Sequence, residues 1–161
     1  MPFGDGAFDA VVVSEVMEHV PPPAREQVVC EVLRAARKVV VFGYPCGPAA
    51  FELDQRLYRD YQSRKFLAPS WLEEHMLHTF PDENLCGELP EGWKRMVIPN
   101  ESLPFHYGMM KTEMFRPWDY SFRLALWVVP GVVERVLRRF DREPSYREIF
   151  ILTRESYAAY T

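Results

Sequence analysis

The chain has 161 residues, 48% of them hydrophobic and 26% charged, and a formal net charge of −4, which fits one soluble globular domain with a real core. With a pI near 5.6 it excludes a basic nucleic-acid-binding surface, and no apolar run approaches the ~18 residues that cross a bilayer. Asp5 and the lack of a basic n-region exclude a secretory signal, and Cys30, Cys46 and Cys86 are too scattered for a metal or disulfide framework, so a reducing cytoplasm is expected.

In chain order, Asp5-Gly6 signals a turn, and Phe8 to Met17 reads as a strand. Val11, Val12 and Val13 are consecutive rather than alternating, which predicts a strand covered on both faces. Pro21, Pro22 and Pro23 stop it, and Pro23 suits the first turn of a helix. From Ala24 to Lys38, Val28, Val29, Val32, Leu33 and Ala36 recur at helical spacing. A second apolar strand follows at Val39 to Tyr44, ended by Pro45-Cys46-Gly47. Strand, helix and strand in this span predict a parallel, right-handed βαβ unit.

Ala50 to Lys65 reads as a helix with Phe51, Asp54, Leu57, Tyr58 and Tyr61 on one side. Ser70 and Glu73 form a capping-box pattern that opens another helix, ended by Pro81. Trp93 to Ile98 is a candidate strand, and Pro99 to Pro117 a loop rich in aromatics and methionines. Trp118 to Val129 and Gly131 to Phe140 read as helices broken at Pro130-Gly131, and Tyr146 to Thr153 as a closing strand. The basic clusters Arg34 to Lys38 and Arg135 to Arg142 read as solvated helix faces.

The densest polar cluster comes early. Glu15, Glu18 and His19 share one turn if the strand end curls, and histidine is the residue type most used as a general base, so His19 is a candidate for that role. Carboxylate and imidazole donors also suit a divalent cation, for which Glu15, Glu18 and His19 are the candidate ligands. His75 and His78 beside Glu74 lack an evident third ligand and read as an exposed polar face. His106, Tyr107, Met109, Met110, Trp118 and Tyr120 serve either core packing or a substrate lid. Cys46 has no basic partner to lower its pKa and reads as structural.

The stretch PFGDGAFDAVVVSEVMEHV, the proline-capped helix after it and the strand VVVFGYP together resemble the second half of class I S-adenosylmethionine-dependent methyltransferases (type 11-like). The closing strand, with its Tyr-Arg-x-x-Phe pattern, looks like that family's end. The resemblance implies an α/β, Rossmann-like methyltransferase fold present in part: parallel strands, an antiparallel last strand, and a helical and loop region at 48–140 that serves as a substrate lid. It implies S-adenosylmethionine as cofactor, with Pro2 and Phe3 on the adenine side and Ser14, Glu15 and Val16 bordering the methionine part. Glu18 and His19 would then face the acceptor as the catalytic pair.

Glycines stand at 4, 6, 43, 47, 87, 92, 108 and 131, and none forms a G-x-G-x-G turn between a strand and a helix. A single domain lacking the first half of the fold is therefore expected, with an unprotected edge at the first strand through which copies self-associate. Glu-x-x-Glu-His is similar to the metal motif of ubiquinone-pathway O-methyltransferases and small-RNA terminal methyltransferases, although Val20 stands where the RNA enzymes carry a second histidine. The favoured expectation is a metal-independent site. The expected function is methyl transfer to a small-molecule or sugar-linked acceptor, with no nucleic-acid or membrane partner. A non-catalytic α/β interaction module and another nucleotide-binding α/β enzyme are the alternatives.

Overall fold

The computed structural model describes residues 2–113 and 116–154. Met1 lies outside them, and the Trp118 side chain lies outside the described side chains. The valine-rich segments pair as expected. Strand β1 (Phe8–Ser14) runs parallel to β2 (Ala36–Pro45), with Val12 opposite Val41 and Ser14 opposite Gly43. The crossover is helix α1 (Pro22–Ala35), which opens on a proline whose missing N–H costs nothing in a first turn. Val29, Val32 and Leu33 of α1 pack onto Val40 and Phe42 of β2, so the helical spacing becomes one buried stripe.

Helix α2 (Gly47–Ser63) and the short α3 (Ser70–His75) follow, then strand β3 (Trp93–Ser102) and helices α4 (Leu103–Glu113), α5 (Arg116–Val128) and α6 (Pro130–Leu137). The last strand, β4 (Ser145–Arg154), inserts antiparallel between β2 and β3, giving the order β1-β2-β4-β3. This mixed, partly parallel sheet is the partial Rossmann-like α/β arrangement that the resemblance implies. No helix is long and apolar enough to cross a membrane among the described residues.

Several expectations need correction. The first strand stops at Ser14, three residues before Met17, where Glu15 takes a positive φ of 54° and the chain turns away from the sheet. It is covered on one face only. Val11 and Val13 pack on the core, whereas Val12 on the opposite face is 67% exposed. The capping box does not form: Pro69 is the N-cap of α3, Ser70 is already helical, and no side chain caps the turn. The helix ends at His75, well short of Pro81.

The expected loop at Pro99 to Pro117 is instead the end of β3 followed by α4. Strand β3 crosses Pro99 because its partner β4 lies on one side only, which leaves the proline at a sheet edge. Of the first basic cluster, Arg37 and Lys38 belong to β2 and pair with Asp9 of β1, and only Arg34 sits on a helix, bound to Glu31 and Asp5. These charges fasten the start of the parallel pair.

Candidate functional site

The site forms where β1 ends. The Glu15 N–H donates to the Gly43 carbonyl at 2.9 Å, the last bond of the parallel ladder. The left-handed backbone at Glu15 then reverses the chain, at a cost of about 1–3 kcal/mol for a residue with a Cβ. The His19 N–H closes the turn on the Val16 carbonyl at 3.1 Å. Because of this turn Met17 drops fully into the core, Glu18 points inward, and His19 stands above it. The Glu15 carboxylate swings to Arg147 on β4, with Oε1 2.7 Å from Nε and Oε2 accepting from Nη2 at 3.0 Å.

Glu18 is the unusual group. It is 1% exposed, and neither carboxylate oxygen has a hydrogen-bond partner. Its nearest cation-forming neighbour is His19, whose Nε2 lies 3.9 Å from Oε1. Burial, assisted by the charge of Glu15 and opposed by a backbone bond, pushes the Glu18 carboxyl up to about 7. An unpaired buried carboxylate tuned to neutrality is the kind of group that catalytic sites maintain.

Asp54 organises the surrounding wall. It is fully buried on the apolar stripe of α2, where an isolated acid would be costly without partners. Its Oδ2 accepts from the Tyr146 hydroxyl at 2.8 Å and lies 2.7 Å from His75 Nδ1 on α3. A carboxylate only accepts, so Nδ1 is the donor in this pair and Nε2 is turned away from Asp54. Burial and the Asp54 carboxylate push the Tyr146 phenol well above its usual range, so it remains a donor. His106 from α4 stacks on the Tyr146 ring, with centroids 3.4 Å apart.

A cavity of about 380 Å³ is lined by Glu15, Glu18 and His19 together with Trp71, His75, His106, Met109, Met110, Tyr146 and Arg147, and Asp54 stands behind its wall. Glu18, His19 and His75 each offer one ligand atom within 4.8 Å of the others. Outer carboxylates flank both histidines, since Glu74 lies 3.4 Å from His19 Nδ1 and Asp54 holds His75. This triplet is the set that could seat a divalent cation. Glu15, expected among the ligands, is engaged with Arg147 instead, and its place is taken by His75.

The expected cofactor residues separate. Ser14, Glu15 and Val16 lie at the carboxyl end of β1 beside the cavity. Phe3 packs on Phe8 at 4.9 Å and its carbonyl accepts from Arg34 at 2.9 Å, which places Pro2 and Phe3 at the opposite end of the strand. These five residues do not line one pocket.

His75 is buried rather than on an exposed polar face. His106, Met109 and Met110 reach the site, Tyr107 turns away to donate to Asp60 at 2.5 Å, and Tyr120 is 70% exposed. Cys46 is buried, and desolvation pushes its thiol far above the reactive range. Sequence reasoning missed Tyr146 and Arg147, and it used Asp54 only as a helix-face residue. The available signal was that acid on the apolar side of α2, which demands buried donors.

Residues 1–42 match the family described as "Methyltransferase domain". The matched segment covers β1, α1 and most of β2, and it includes Ser14 to His19. It supports a class I S-adenosylmethionine-dependent methyltransferase-like domain, and methyl transfer as the general activity. No curated protein matches the chain.

Proposed function

We propose that the chain provides the acceptor side of an S-adenosylmethionine-dependent methyltransferase acting on a hydroxyl of a small-molecule or sugar-linked acceptor. The observation that carries this is Glu18, a buried carboxylate without a partner, at the end of a strand whose sequence matches a methyltransferase domain. Ser14, Glu15 and Val16 border the methionine part of the cofactor. The sulfonium methyl is already activated, so the protein's work is alignment and proton removal. When bound, the cofactor would supply the activated methyl group, and the residues of this cavity would hold the acceptor oxygen in line with it. The acceptor proton passes to Glu18, with His19 at the mouth as its relay. Asp54, through His75 and Tyr146, fixes the wall against which the acceptor lies.

The sequence holds no glycine-rich turn to approach the cofactor backbone. Each missing charge-assisted ribose bond costs about 1.5–3 kcal/mol, and about 1.4 kcal/mol is a factor of ten. This chain therefore binds the cofactor at about millimolar concentration. Titration with S-adenosylhomocysteine followed by amide NMR tests the reading. Shifts confined to Ser14 through His19, absent with NAD⁺, are expected. The same shifts with NAD⁺ would favour another nucleotide-binding enzyme, and no shift at these residues at several millimolar would overturn the proposal.

The convergence of Glu18, His19 and His75 favours a second reading, in which a divalent cation orients the acceptor. Manganese titration decides between them. The base reading expects no selective paramagnetic broadening at these three residues, and broadening confined to them would favour the cation.

A further inference from the structure

The acceptor cavity has an apolar annexe. On the far side of α4 a groove of about 570 Å³ runs between that helix and the α5–α6 hairpin, within the size range of small-molecule pockets. Its lining includes Phe105, Met109, Phe122, Val133 and Leu137, and among the described residues that line it Thr112 is the one with a polar side chain. Phe105 and Phe140 stack at 4.2 Å along one wall. Met109 lines both this groove and the polar cavity that holds Glu18 and His19. Between the walls stands Gly108, where an added Cβ would meet no atom within 4 Å. An alanine there would favour the helix by about 0.8–1.0 kcal/mol, and the glycine instead leaves the groove open.

A dry groove and a polar cavity that share Met109 in their walls suit a molecule with two unlike ends. We propose that the acceptor is amphiphilic, with its hydroxyl head in the cavity beside Glu18 and its aliphatic chain in the groove beyond Met109. This rests on the reading of the cavity as the acceptor end, and it names the acceptor's class. The shared Met109 selects this occupant: if the methionine swings aside, a chain lying in the groove reaches the carboxylate with its head, whereas a separate apolar partner would have no reason to meet the polar cavity. Methionine suits the junction because its unbranched thioether adapts to a chain passing over it.

The test uses the chain as it stands and a series of straight 1-alkanols from butanol to decanol, followed by the methyl NMR signals of the methionines. Each added methylene transfers about 0.8 kcal/mol of apolar surface, so affinity should rise about fourfold per carbon and level off when the groove is full. One bound molecule should shift both Met109, which lines both spaces, and Met110, which lines the polar cavity but not the groove. Gly108→Leu adds a side chain at a position where a Cβ meets no atom within 4 Å, and it should abolish the chain-length dependence, while Gly108→Ala should retain it.

Equal chain-length dependence in the Gly108→Leu protein would overturn the proposal, because the alkanol would then be adsorbing elsewhere. So would shifts at Met109 with none at Met110. The alkanols need no cofactor. Loss of S-adenosylhomocysteine shifts with alkanol binding intact would therefore count against the methyltransferase reading alone, and the converse against the amphiphilic acceptor alone.

Discussion

The two faces of the sheet carry similar side chains and have different surroundings. On one face Val11, Val13, Val40, Phe42 and Phe150 pack with Val29, Val32 and Leu33 of α1 into a dry cluster. On the other, Val12, Val41, Ile151 and Met96 stand in one row across all four strands, and Val12 and Met96 are 67% and 55% exposed. Both rows are apolar, so hydrophobicity alone does not bury a strand; a covering element must be present. Among the described residues α1 covers only the first row. The site follows the same asymmetry, because the turn at Glu15 directs Met17 and Glu18 to the covered side.

The contrast can be broken by mutation, and the largest effect belongs to the covered face. Phe150→Ala should destabilise by about 3–5 kcal/mol, the range for emptying an aromatic site in a packed core, as measured by urea unfolding. A loss under about 1 kcal/mol would mean that the cluster is loosely packed.

Glu18→Gln should act in the opposite direction. A carboxyl raised from 4.5 to about 7 in the folded chain holds its proton there while the unfolded chain has lost it. Stability therefore falls as pH rises between those two values and stays reduced above them. The amide removes that slope, and the variant should be more stable than the parent by roughly 2 kcal/mol at pH 8, with little difference at pH 4. Urea midpoints at the two pH values check this, and a pH-independent difference would contradict it. A loss of function accompanying that gain in stability would mark a stability–activity trade-off at Glu18.

Tyr146→Phe removes one donor from Asp54 and leaves the ring against His106, so a loss of about 1 kcal/mol is expected by thermal or urea unfolding. Val12→Lys on the uncovered row should change stability by less than about 0.5 kcal/mol. It should also reduce light scattering, because a lysine on an open edge strand opposes pairing between copies. Unchanged scattering would remove β1 from the account of self-association.

Much of this was legible in the sequence, for physical reasons. The βαβ unit was readable because consecutive valines, a proline stop and helical spacing are local signals. The antiparallel closing strand was readable from its alternation together with the resemblance. Helix α4 was not: prolines at 99, 104 and 117 suggested a loop, yet Pro104 falls in a first turn, where its missing N–H is harmless. The turn at Glu15 was hidden because a left-handed glutamate leaves no mark in composition. Glu18 and His19 were found because they adjoin a strand end. The Asp54, His75 and Tyr146 network joins residues 21 and 92 positions apart, and only the fold brings these together. The position of Pro2 and Phe3 near Phe8 and Arg34, away from Ser14 to Val16, was not legible, because adjacency along the chain says nothing about which end of the strand a residue occupies.

The central claim is that the end of β1 holds a buried carboxylate kept unpaired for chemistry. Carbon-13 NMR of the glutamate side-chain carboxyls across pH, with the Glu18 signal assigned by its loss in Glu18→Gln, measures it directly. The account predicts a midpoint near 7 for Glu18. A midpoint near the ordinary 4.5 would show that the carboxylate is solvated or paired in solution, and would contradict the claim.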